Sequence, residues 1–123
     1  MNLHIGFYLS ALRRCLGQRA ALRLSVTNLG SEYRLALIEA HLLAPLRSAF
    51  EGVACFFDDQ RHSGRGYYQD ICFHIHAITA SGQSLELVDG GAVDWTKKLL
   101  SNAKERLVIS GIGSERLCSV FGK

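Results

Sequence analysis

Five residues with polar or metal-binding side chains fall at every second position of one stretch: Tyr68, Asp70, Cys72, His74 and His76. On an extended strand, residues two apart share a face, so these five face one way while Ile71, Phe73 and Ile75 face the other. The apolar set belongs to the core, and the polar set offers hydroxyl, carboxylate, thiol and imidazole groups. Thiolate and imidazole suit zinc, but side chains two apart on one strand need help from elsewhere to converge on an ion. The sequence therefore assigns no metal, and the expectation is a polar floor facing a small ligand or solvent.

A second candidate follows near the C-terminal end, where Gly111-Ile112-Gly113-Ser114 stands between an apolar run and a helical pattern. Glycines there let backbone approach a ligand, and a helix start offers unpaired N–H groups to an anion. Arg116 adds a fork of charged donors for phosphate or carboxylate. The bland alternative is a tight turn with Arg116 paired to Glu105 or Glu115.

The elements that must position these groups follow from periodicity. Ile5, Tyr8, Leu9, Leu12, Cys15 and Leu16 recur at helical spacing, which predicts a helix over Leu3 to Leu16 ended by Gly17, and Phe7 widens its stripe, as in a buried or an interface helix. Leu22, Leu24 and Val26 alternate with Arg23, Ser25 and Thr27, the pattern of a strand. Ser31 caps a second helix from Tyr33 to Phe50, with Pro45 predicting a kink or break near Ala44. Val53 to Phe57 is a short strand, Tyr67 to Thr79 a long one, and Ser81-Gly82-Gln83 turns the chain into Ser84 to Val88. Asp89-Gly90-Gly91 is expected to end that strand, with a helix over Val93 to Ala103, a strand over Arg106 to Ser110 and a last helix over Ser114 to Phe121. These elements predict one α+β domain over residues 1–123, with helices packed on a mainly antiparallel sheet of about five strands.

Composition narrows the class. Of 123 residues, 48% are hydrophobic and 20% charged, an ordinary globular balance, and a net charge of +3 is too small to argue for nucleic acid. Cys15, Cys55, Cys72 and Cys118 have neither the paired spacing of a zinc site nor the density of a disulfide scaffold, so a reducing cytoplasm is expected. The apolar Leu3 to Leu12 lacks the basic start and cleavage site of a signal peptide, and no run is long enough for a membrane span.

The motifs also fall in the order of one family. Ser63-Gly64-Arg65-Gly66-Tyr67-Tyr68-Gln69-Asp70-Ile71-Cys72-Phe73-His74 resembles the histidine-binding motif R-G-L-D-Y-Y-T-G-x-V-F-E of histidyl-tRNA synthetase. Gly90-Gly91-Ala92-Val93-Asp94 resembles its G-G-R-Y-D turn, and Gly111-Ile112-Gly113-Ser114-Glu115-Arg116-Leu117 resembles its third class II motif, G-x-G-L-E-R-L. The chain is thus similar, over about Gly17 to Phe121, to the back half of that catalytic domain and of its paralogue, the regulatory subunit of ATP phosphoribosyltransferase.

The resemblance implies part of the class II catalytic fold and a half site. Arg65, Tyr67, Tyr68, Asp70, His74, Gly90 and Gly91 would line a histidine-like amino-acid pocket. Gly111, Gly113 and Arg116 would bind ATP, with Mg2+ as its companion and no other cofactor. The departures carry their own implication. The family's catalytic arginine falls on Ser63, and no Arg-x-Glu of the second motif occurs, so catalytic residues are not assigned and adenylation lacks its usual charge stabilisation. With seven residues after Arg116, tRNA is not an expected partner. A binding module, a regulatory or assembly subunit that self-associates or joins a partner protein, and a fragment of an active ligase all remain open.

Overall fold

The computed structural model describes residues 2–17, 20–30, 32, 34–58, 68–93 and 107–113. A helix, α1 (Asn2–Leu16), leads into strand β1 (Ala20–Asn28). A helical run of α2 (Arg34–Ile38), a π turn (Glu39–Leu43) and α3 (Ala44–Ala49) follows. Four strands complete the described chain: β2 (Ala54–Phe57), β3 (Gln69–Thr79), β4 (Ser84–Val93) and β5 (Leu107–Ile112). With β1 they form one five-stranded sheet in the order β2-β1-β3-β4-β5. The fold is α+β, as the residues predict, but the sheet is mixed: β1 and β2 run parallel while the other three pairings are antiparallel. The parallel pair arises because the helical run between β1 and β2 carries the chain back to the starting end of the sheet, the usual way to join parallel neighbours.

The core lies between the helices and one face of the sheet. Ile5, Leu9, Leu12 and Leu16 of α1, each at most 2% exposed, meet Leu24, Val26, Phe73, Ile75 and Val88 from the strands. The stripe of α1 is narrower than its sequence suggests, since Cys15 is exposed and Phe7 is 68% exposed. Gly17 ends the helix with φ of 55° and donates its N–H to Arg13 O at 2.9 Å, a C-terminal cap that glycine adopts without a Cβ penalty.

Pro45 does not break the second helical run. Proline has no N–H for the carbonyl four residues back, and its ring clashes with that turn. The chain accommodates it by widening: Ala44 N–H donates to Glu39 O, five residues back, and Ala44 keeps helical φ and ψ of −62° and −46°. Ser31, the expected cap, lies outside the described residues.

Two glycine assignments need correction. Asp89-Gly90-Gly91 does not end β4, which continues to Val93, and Gly111 lies inside β5 opposite Asp89 rather than in a turn. Glycine is a poor strand former, so sequence reads it as punctuation; inside this sheet it instead marks, at Gly91, close approach of another group. The hairpin turn is as expected, with Gly82 at φ of 88° and its N–H on Thr79 O at 2.9 Å. The expected helices over Val93 to Ala103 and Ser114 to Phe121 lie outside the described residues, apart from Val93, which is the last residue of β4.

Arg47 ties α3 to the edge strand. Its Nε and Nη2 donate to Cys55 O at 3.0 and 2.8 Å, and its Nη1 pairs with Glu39 of the π turn. Arg47→Met is expected to lower stability by about 1–3 kcal/mol through the lost bonds to Cys55. Glu39→Gln, which removes only a solvent-screened pair, is expected to cost about 0.5 kcal/mol in the same urea titration. A larger effect from Glu39→Gln than from Arg47→Met would contradict this assignment.

Burial pushes the Cys55 thiol up from its ordinary range and Glu39 adds to the rise, while Arg47 opposes it. A raised pKa in the folded state stabilises the fold below the unfolded thiol's value of about 8.5 and loses that contribution as pH rises beyond it. Stability is therefore expected to fall above about pH 8.5, and to fall less in Cys55→Ala. Parallel pH profiles of the two proteins would refute it.

Candidate functional site

The face of the sheet opposite α1 is built as rows across the strands. One row runs Phe56, Ser25, His74, Asp89, Gly111 through β2, β1, β3, β4 and β5. Beside it lies the row Ala54, Arg23, His76, Glu86, and on its other side Thr27, Cys72, Gly91. The alternation read from β3 therefore holds from Cys72 to His76, with Phe73, Ile75 and Ala77 in the core and Cys72 and His74 buried on the polar side.

What the sequence reading missed is the contribution of β4. Plain alternation would put Glu86 and Asp89, three residues apart, on opposite faces. The pairing of Ile75 with Val88 is followed by His76 with Glu86, so Leu87 is an extra residue, a β-bulge. Leu87 and Val88, adjacent in sequence, are both 1% exposed in the core. The bulge turns both carboxylates toward one imidazole: His74 Nε2 lies 3.3 Å from Glu86 Oε1 and 3.6 Å from Asp89 Oδ1. The His74 and His76 rings stand edge to face at 5.4 Å and 86°. The adjacent apolar pair Leu87-Val88 inside an otherwise alternating run was the available signal.

A second irregularity sits where β3 begins. Gln69 pairs with Ala92 and Cys72 with Gly91, so two residues of β3, Asp70 and Ile71, have no opposite number on β4. Strict alternation does not carry across such a bulge. Tyr68 lies just before it, and its ring rests on Gly91: a Cβ at Gly91 would sit 2.6 Å from Tyr68 Cδ1 and 2.8 Å from Ile71 O. Gly91 opposes Cys72, so Tyr68 covers the polar face.

Of the residues the sequence singled out, Tyr68, His74, Gly91 and Gly111 are brought to this face. Gly90 is not, because it opposes Phe73 and so belongs to the helix side. Asp70 is placed in the bulged start of β3. Gly113 follows β5 and donates its N–H to Leu87 O at 2.6 Å, extending the ladder rather than opening a turn. Arg65, Tyr67 and Arg116 lie outside the described residues. At Gly111 no described residue lies within 4 Å of where a Cβ would be, which leaves space among the described residues beside Asp89.

Next to His76 an open cleft of about 240 Å³ is lined by Arg23, Ser25, Phe56, Asp58, His76 and Ser84. The Arg23 guanidinium stacks 5.0 Å from the Phe56 ring centroid, a cation–π contact that fixes its direction. Asp58 continues the β2 edge, with its N–H on Val26 O at 2.8 Å and its own carbonyl accepting from Thr27 Oγ1 at 2.8 Å.

Comparison with family models, curated proteins and solved structures returns no match for this chain. Among the described residues no helix is long and apolar enough to cross a membrane.

The approach of Tyr68 to Gly91 generates a direct test. Gly91→Ala is expected to destabilise by about 1–3 kcal/mol, the usual cost of overpacking. Combining it with Tyr68→Ala recovers only part of this, because Ile71 O remains in the way. Gly111→Ala, with space among the described residues, is expected to be neutral or to stabilise by about 0.4–1 kcal/mol. Equal destabilisation by both alanines in denaturant titrations would contradict the placement of Tyr68.

Proposed function

We propose that this chain is a synthetase-like binding module whose polar sheet face holds a small amino acid of the histidine type, rather than a complete stand-alone ligase. The observation that carries the reading is the gathering of the Tyr68 ring, His74, Glu86 and Asp89 on one face, with space among the described residues at Gly111 beside them. Two half-buried carboxylates beside an imidazole suit a ligand's ammonium or imidazolium group, since an opposite charge a few ångströms away favours the charged form. An aromatic wall at Tyr68 suits a flat ring. Of these, Tyr68 and His74 belong to the stretch Ser63 to His74 that resembles the histidine-binding motif of histidyl-tRNA synthetase.

ATP with Mg2+ belongs to the same proposal, at Gly111, Gly113 and Arg116, the stretch that resembles the third class II motif. Without the Arg-x-Glu pair the α-phosphate lacks its grip, so the reading is of binding, in a reducing cytoplasm.

A second reading, an assembly or regulatory subunit like that of ATP phosphoribosyltransferase, is favoured by one observation. Phe7 and Leu37 are large apolar side chains 68% and 53% exposed, the kind of surface that a homo-oligomer or a partner protein covers.

Thermal melting in the presence of EDTA tests the first reading. Histidine at tenfold over its dissociation constant is expected to add roughly 1.4 kcal/mol of stability. Tyr68→Ala is expected to abolish the shift while still folding. No response of the wild-type protein to millimolar histidine would reject amino-acid binding.

A further inference from the structure

We propose that the polar face carries a divalent transition-metal site made by His74, His76 and Glu86, with Asp89 in reach as a fourth ligand. The ligand atoms of His74, His76 and Glu86 all lie within 4.8 Å of one another. Around a tetrahedral ion with bonds near 2.1 Å the donors stand about 3.4 Å apart, so side-chain rotations of about 1 Å close the set. Asp89 stands outside that group of three, but its Oδ1 lies 3.6 Å from the same Nε2 atom that Glu86 approaches.

Three features make this more than a chance cluster of polar groups. The ligands come from two strands, which supplies the third donor that a His-x-His strand lacks by itself. His74 is 7% exposed and held between β1 and β4 opposite Ser25 and Asp89, so its ring is positioned before any ion arrives. The bulge that presents Glu86 is fixed by Leu87 and Val88 in the core. Two imidazoles and two carboxylates also match the charge of a divalent ion, giving a neutral centre.

The donor set selects the ion by type. Mg2+ and Ca2+ take oxygen ligands, whereas imidazole mixed with carboxylate suits zinc and its first-row neighbours. His76 also lines the cleft that contains Arg23, so a small anionic ligand has a route from that cleft toward the ion.

The ion and the amino acid would draw on the same carboxylates and are alternative occupants, measured apart: ion binding without histidine, and histidine binding in EDTA. The test is calorimetric titration of the EDTA-stripped, full chain with ZnCl2, and with CoCl2 followed by visible absorption. One ion per chain is expected, with a Co2+ absorption band of low symmetry. His76→Ala and Glu86→Gln, both at partly exposed positions, are each expected to weaken Zn2+ binding by at least about tenfold. Cys15→Ser is expected to leave it unchanged. Zn2+ is also expected to raise the melting temperature of the wild-type protein but not of His76→Ala. No binding at about 1 mM Zn2+, or wild-type affinity in either His76→Ala or Glu86→Gln, overturns the proposal.

Discussion

The register of β3 against β4 is the constraint on which the rest of this molecule depends. One face of the sheet is committed to the core by Phe73, Ile75, Leu87 and Val88, so a slip by one residue would send those side chains to the polar face and bury His74 among leucines. The packing energy of α1 and of the helical run beyond β1 is therefore spent on holding a register, and the register decides what the other face presents. The chemistry of that face is a by-product of apolar packing on the opposite one.

The same constraint explains why an irregular ladder is retained. A regular strand from Ser84 to Asp89 could place either Glu86 or Asp89 beside His74, but not both. Accommodating Leu87 and Val88 together in the core forces the extra residue, and the extra residue turns both carboxylates to one side. Local disruption of pairing is repaid by two buried apolar side chains, and its consequence is an acidic rim around an imidazole. The second irregularity, at Asp70 and Ile71, lets Tyr68 fold back over Gly91 and wall the same face.

Much of this was legible in the residues. The stripe of Ile5, Leu9, Leu12 and Leu16, the alternation of Leu22 to Thr27 and the Gly82 hairpin are local signals, and local signals survive folding. Pro45 was legible as a perturbation, but whether it breaks a helix or widens one turn depends on how Leu42, Leu43 and Leu46 pack, which is tertiary. Gly90 and Gly111 were misread because a glycine in a turn and a glycine inside a strand look alike in sequence, and Gly91 because the Tyr68 ring over it is placed only by folding. Half of the candidate site was visible, since His74 and His76 share a strand face by period alone. The other half, Glu86, Asp89 and Arg23, required strand pairing and the bulge, which no single run of residues encodes.

Backbone NMR of the hairpin tests the central claim most directly. Cross-strand nuclear Overhauser effects are predicted to pair Ile75 with Val88 and His76 with Glu86, skipping Leu87, and the His74 ring proton between its nitrogens is predicted to contact side-chain protons of both Glu86 and Asp89. A continuous ladder that pairs His76 with Leu87, with the His74 ring touching only one of the two acidic residues, would contradict the account.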